Sequence, residues 1–150
     1  MREFQSPREL AAVIGERIGP GEWITITQKM IDGFAEATGD RQWIHVDVER
    51  AKTKAPGGKT IAHGYLLLSL LGTLQPTIYA VRAPRTVNYG INKLRFLIAA
   101  PVDSRVRLSE VIRSVEQASG GLRVTSEITI ELENTEKPAL VAEIVFVYFE

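Results

Sequence analysis

The segment Gly64-Tyr65-Leu66-Leu67-Leu68-Ser69-Leu70-Leu71-Gly72-Thr73-Leu74, followed closely by Pro76, restricts the fold of this chain more than any other. Its apolar residues fall all around a helical wheel rather than along one stripe, and a helix of that kind must be surrounded by other structure. The greasiest run, Tyr65 to Leu71, is far shorter than the roughly 20 residues a membrane span needs. The wrapping is therefore expected from protein, with no membrane involved.

The second half of the chain supplies it. Strands are expected at about 85–98, 102–117, 121–133 and 139–149, separated by Ala100-Pro101, Ser119-Gly120-Gly121 and Glu136-Lys137-Pro138, which read as hairpin connections. The third strand alternates, with Leu122, Val124, Ile128, Ile130 and Leu132 on one face and Arg123, Thr125, Glu127, Thr129 and Glu131 on the other. In the second, Val106 and Leu108 give way to Val111 and Val115, a switch of phase that predicts a bulge. The last, Leu140 to Phe149, is apolar on both faces and belongs in the middle of the sheet. The expected fold is α+β, a hot-dog arrangement of a curved antiparallel sheet wrapped around a central buried helix. Sheet edges need cover, which predicts a homodimer.

The first half reads as helical. Pro7 suits a first helical position, and Leu10, Ala11, Val13 and Ile14 follow before Gly15. After a short strand at Trp23 to Ile26, Thr27 caps a helix with Met30, Ile31, Phe34 and Ala35 on its apolar face, and Gly39 ends it. Asp40 then sits just past the helix C-terminus, where the macrodipole disfavours a carboxylate. A short polar helix is expected from Asp47 to Lys54, broken by Ala55-Pro56-Gly57-Gly58.

The 150 residues make one domain, 1–150, long enough to support a core without staples. With 18 basic against 18 acidic side chains there is no excess charge for nucleic-acid binding. The absence of cysteine excludes disulfides, thiolate metal sites and thiol nucleophiles, and fits a reducing cytoplasm. Met1 to Gly15 has no apolar run of leader length, so a cytoplasmic location is expected.

The chain has two histidines. His45 follows Asp40 by five residues across a compact loop, and an Asp at an unfavourable helix end beside a His suits a pair that positions and activates water. His63 is read as structural, capping the buried helix or orienting its entry. Gly64 opens that helix, so its N–H is either a free donor for an oxyanion or simply part of a close packing contact. No His-Glu-x-x-His spacing is present, so no metal is expected. Gly57-Gly58-Lys59-Thr60 lacks the spacing of a phosphate loop, and Ser69 lacks a nucleophile elbow. Lys93, Arg95, Arg105 and Arg107 read as a solvated strand face, or alternatively as an anchor for nucleotide phosphates.

Phe34, Gly39-Asp40-Arg41-Gln42-Trp43-Ile44-His45, Ile61-Ala62-His63-Gly64 and Asn88-Tyr89-Gly90-Ile91-Asn92-Lys93-Leu94-Arg95-Phe96, in this order, resemble the MaoC-like (R)-specific enoyl-CoA hydratases, within them the nodulation protein N-like subgroup. The resemblance implies a dimeric hot dog that reversibly hydrates a trans-2-enoyl-CoA to a (3R)-3-hydroxyacyl-CoA without a cofactor. The family's catalytic pair falls on Asp40 and His45, and its thioester-binding amide on Gly64. Trp43, Tyr65 and Leu68 are candidates to line the acyl tunnel, and Asn88 is a further candidate for substrate contact. Gln42-Trp43 replaces the common Asn-Pro. Gly72 stands where some members carry a serine that supports the Asp. A hot-dog thioesterase and a non-catalytic acyl-CoA-binding module are the rival readings.

Overall fold

Thr27 opens the first α-helix with its hydroxyl, which accepts a hydrogen bond from the Met30 amide at 3.2 Å. Helix α1 (Gln28–Thr38) runs from there to Gly39, where a φ of 80° lets the backbone turn left-handed. Ile31 and Ala35 are buried along it, and Met30 and Phe34 pack against the core from the side. The loop beyond Gly39 leads into a single turn, α2 (Trp43–Val46). Asp47 then caps α3 (Val48–Lys54) by accepting from the Arg50 amide at 3.0 Å. The apolar segment forms α4 (Gly64–Ser69) and, after Leu70, α5 (Leu71–Leu74). The computed structural model describes residues 1–150.

Four short strands, β1 (Arg2–Phe4), β2 (Arg17–Ile18), β3 (Ile24–Thr25) and β4 (Tyr79–Val81), precede four long ones. These are β5 (Arg85–Phe96), β6 (Arg105–Ala118), β7 (Gly121–Leu132) and β8 (Leu140–Phe149). The main sheet is antiparallel in the order β2-β6-β7-β8-β5, with β3 also on β6, while β1 and β4 form a separate parallel pair. It curves past the central helix as the hot-dog arrangement requires. The expected alternation of β7 holds, and β8, apolar on both faces, lies between β7 and β5.

Two details of the sheet depart from expectation. The Ala100-Pro101 connection is no hairpin, because β5 and β6 lie at opposite sides of the sheet and pair with β8 and β7. It links strands at different places in the sheet instead. Its backbone is satisfied by the strand entering the central helix, with the Ala62 amide on the Ala100 carbonyl at 2.8 Å and the Val102 amide on the Thr60 carbonyl at 2.9 Å. The phase switch in β6 comes at Arg113, between Ile112 and Ser114, so Val106, Leu108, Glu110 and Ile112 share the core face and Val111 does not.

The central helix is also less enclosed than its composition suggests. Leu66, Leu67, Leu70 and Leu74 are buried in the core. Loss of all but the Cβ of Leu74 would cost about 2–5 kcal/mol. Tyr65, Ser69, Gly72 and Thr73 are exposed, so one chain wraps only one side of the helix. No helix is long and apolar enough to cross a membrane.

Candidate active site

The Gly39–His45 loop and the entry to the central helix meet at a cluster of three side chains. Donor atoms of Asp40, His45 and His63 all lie within 4.8 Å of one another. Asp40 is exposed, and both histidines are buried. The turn at Gly39 puts Asp40 outside the helix, where its Oδ1 makes a long 3.4 Å contact with the Gln42 amide. Helix α2 presents His45 inward.

Hydrogen bonds fix the tautomer of each ring. His45 Nδ1 lies 2.7 Å from the Ile61 carbonyl, which can only accept. Nδ1 therefore carries the proton, and neutral His45 keeps its lone pair on Nε2. His63 Nε2 lies 2.9 Å from the backbone carbonyl of Asp40 and donates to it by the same logic. Its Nδ1 is buried without a partner. The His63 ring stacks on His45, and the Phe34 ring lies tilted with its centroid 4.9 Å from that of His63.

This placement rules out helix capping for His63 and leaves its role structural. It occupies the position before α4, yet its side chain makes no capping hydrogen bond. The ring instead ties the Asp40 backbone to the His45 imidazole. The signal in the sequence was Phe34, an aromatic on the inner face of α1, but nothing local showed that the two loops converge.

Gly64 begins α4 as expected, and a Cβ there would stand 3.0 Å from the ring of Phe96. Phe96 also packs edge-on to Tyr65, with centroids 6.0 Å apart. A packing role for the glycine is thus real, whatever its amide binds.

The remaining candidates divide. A cleft of about 560 Å³ runs between the central helix and the β5–β8 edge of the sheet, and Leu68 and Asn88 line it. Trp43 and Tyr65 do not. Trp43 stacks under the Arg50 guanidinium at 4.3 Å, and Tyr65 is 67% exposed. Gly72 lines the cleft with open space around its missing Cβ. Ser69 donates back to the Tyr65 carbonyl at 2.7 Å, as a helical serine commonly does. The basic residues do not form one patch, because strand order separates Lys93 and Arg95 on β5 from Arg105 and Arg107 on β6. The latter two are paired with Glu133 and Glu131.

Comparison with known proteins agrees with this architecture. Residues 9–134 match the model of the MaoC like domain. The chain is 47% identical over 150 residues to the 3-hydroxyacyl-thioester dehydratase Z of Mycobacterium tuberculosis (strain ATCC 25618 / H37Rv), covering 99% of each protein. It is 42% identical over 132 residues to the nodulation protein N of Rhizobium leguminosarum bv. viciae, covering 86% of this chain and 82% of the relative. Among solved structures, a monoamine oxidase regulatory protein from Archaeoglobus superposes with a TM-score of 0.77 at 28% identity, covering 99% of this chain and 97% of the other.

Proposed function

The chain belongs to the MaoC-like dehydratase family and is a hydro-lyase, and from that premise we propose that it interconverts trans-2-enoyl-CoA and (3R)-3-hydroxyacyl-CoA. The observation that carries the reading is the convergence of Asp40, His45 and His63 within 4.8 Å beside the helix that Gly64 opens.

The chemistry needs a water held for attack and a place for developing charge. Both the Asp40 carboxylate and the Nε2 lone pair of His45 are acceptors, so together they hold a water by its two O–H groups. The water oxygen bonds to C3 as one of the pair takes its proton, and the C2=C3 π electrons move toward the thioester oxygen as an enolate. The Gly64 N–H, at the positive end of α4, stabilises that oxygen. Return of a proton to C2 completes the addition with no net change in the protein. Dehydration runs the same steps backwards. No cofactor takes part, and Asn88 on the cleft wall contacts the substrate beyond the thioester.

The active unit is a homodimer of one domain, 1–150. Strand β5 ends the sheet with one edge unpaired, and Val87, Tyr89 and Ile91 are exposed along it. A bare apolar edge is a template for another strand, and a second copy of the same edge satisfies it by two-fold symmetry. The lack of cysteine supports a reducing, cytoplasmic setting.

One paired assay with crotonyl-CoA and a longer enoyl-CoA tests the reaction. Loss of the enoyl-thioester absorbance with no free thiol is the expected result, with the (3R) alcohol identified by chiral analysis. Thiol release would make the protein a thioesterase. Binding with neither change would make it a non-catalytic acyl-CoA module.

A further inference from the structure

Gln28, the first residue of α1, is half-buried, and every hydrogen-bonding group of its side-chain amide has a partner. Its Nε2 donates to the His45 carbonyl at 2.8 Å and to Asp32 Oδ1 at 2.9 Å. Its Oε1 accepts from the hydroxyl of Thr60, a residue only 1% exposed, at 2.6 Å. A carbonyl and a carboxylate can only accept, so both amide hydrogens are committed and the amide has one orientation. The Asp32 contact is the ordinary i,i+4 pairing of a helix surface. The other two reach loops distant in the chain.

Those two contacts fall on either side of the hydrogen bond that orients the His45 ring. On one side, α2 is a single turn, too short to be stable alone, and the His45 carbonyl has no later amide of that turn to accept from. Gln28 supplies the donor. On the other side, the ring gives its Nδ1 proton to the Ile61 carbonyl at 2.7 Å, and Thr60, the residue before Ile61, is the one bonded to Gln28. The Ile61 amide closes the circuit by donating to the Ile44 carbonyl at 3.0 Å. One side chain thus ties together the residue that carries the imidazole and the segment that holds it. Gln28 meets only the backbone of His45, so it takes no part in proton transfer.

We propose that Gln28 and Thr60 are positioning residues for the hydration, their shared hydrogen bond clamping the His45 backbone to the Ile61 segment and keeping the imidazole within reach of Asp40. The proposal rests on the hydratase reading and deepens it by extending the site to α1. Loss of either partner leaves a polar group of this circuit unpaired, and the loops shift to satisfy it. A shift of about 1 Å in a catalytic group can cost about 10²-fold in rate. Substrate contacts are made elsewhere, so the loss falls on kcat and spares KM.

Gln28→Met keeps the length of the side chain without its hydrogen bonds, and Thr60→Val keeps the shape of threonine without its hydroxyl. Each is expected to lower kcat for crotonyl-CoA by about tenfold or more, well below its melting temperature and with KM nearly unchanged. Thr60→Ser, which retains the hydroxyl, is expected to recover most of the rate. The double variant should be no slower than Gln28→Met alone, because both changes break the same circuit. In proton–nitrogen correlation spectra the Nδ1 proton of His45, assigned by its absence from His45→Gln, should be present in wild type and lost to solvent exchange in Gln28→Met. Wild-type kcat in folded Gln28→Met would overturn the proposal, as would a Thr60→Ser protein as slow as Thr60→Val. So would a proton signal absent from wild type or unchanged in Gln28→Met. The Thr60 pair decides the matter if Gln28→Met does not fold. A wild type that hydrates no enoyl-CoA would bring down the hydratase reading, and the proton signal would then still decide whether Gln28 holds His45.

Discussion

The imidazole rings of His45 and His63 stack with centroids 3.8 Å apart and planes inclined by 23°. The stack links the two loops of the site through side chains, while His63 Nε2 holds the Asp40 backbone and Ile61 holds His45 Nδ1. His63 therefore positions both members of the proposed catalytic pair. Asp40→Asn, at an exposed site, is expected to lower turnover by about 10²-fold or more with little change in melting temperature. His45→Gln should match it in rate. His63→Gln is expected to lower both stability and kcat while leaving KM nearly unchanged, because it moves the pair rather than the substrate. Wild-type turnover in a folded His63→Gln protein would remove the positioning role.

Gly64→Ala tests two effects at once, and Phe96 separates them. The new Cβ meets the Phe96 ring at 3.0 Å, so the single variant is expected to lose stability as well as rate. Phe96→Leu in the same chain relieves the crowding and should restore the melting temperature. If the Gly64 amide binds the thioester oxygen, the added Cβ still stands in the thioester's approach to that amide, so turnover should stay depressed in the double variant by up to about 10²-fold. Recovery of rate together with stability would leave Gly64 as a packing residue only.

Glu110 gives the fold a pH dependence of predictable sign. Burial raises its carboxyl in the folded chain, so the folded state binds that proton more tightly than the unfolded state does. Its contribution is fully present below the ordinary carboxylate range and is lost as pH rises toward the raised folded value. Tyr148, a second buried titratable group of the core, is pushed up to about 12 by burial and stays neutral throughout this window. Glu110→Gln cannot ionise, so its melting temperature relative to wild type is expected to climb as pH rises from acid to neutral. A difference that stays constant over this range would show that Glu110 carries no such linkage.

The unpaired edge of β5 makes the dimer testable at one position. Ile91 is exposed beside the cleft on that strand. Ile91→Glu places like charges near each other across a two-fold interface and is expected to shift the protein to monomer in light scattering at micromolar concentration. A wild-type monomer under those conditions would refute the dimer outright.

Much of this was legible locally. The Thr27 cap, the turn at Gly39, the polar helix that begins at about Asp47 and the alternation of β7 each depend on residues within a few positions of one another, and each appears where its local chemistry puts it. Asp40 and His45 were legible as a pair because one loop carries both. The bulge in β6 was readable as an event but not to the residue, since Val111 and Ile112 are both apolar and only the partner strand decides which faces inward.

What the sequence determined by itself was thus the set of elements, their periods and caps, and the residue types available at the site. Tertiary structure decided which of them meet. The crossover at Ala100-Pro101 sends β5 and β6 to opposite sides of the sheet, which divides the basic residues and leaves β5 as a bare edge. The same packing brings His63 onto His45, sets Phe96 against Gly64 and joins Gln75 to Glu110. Caps and alternation are set by hydrogen bonds and side-chain direction within a turn or a strand, whereas these contacts join residues far apart in the chain and depend on the order in which strands pair.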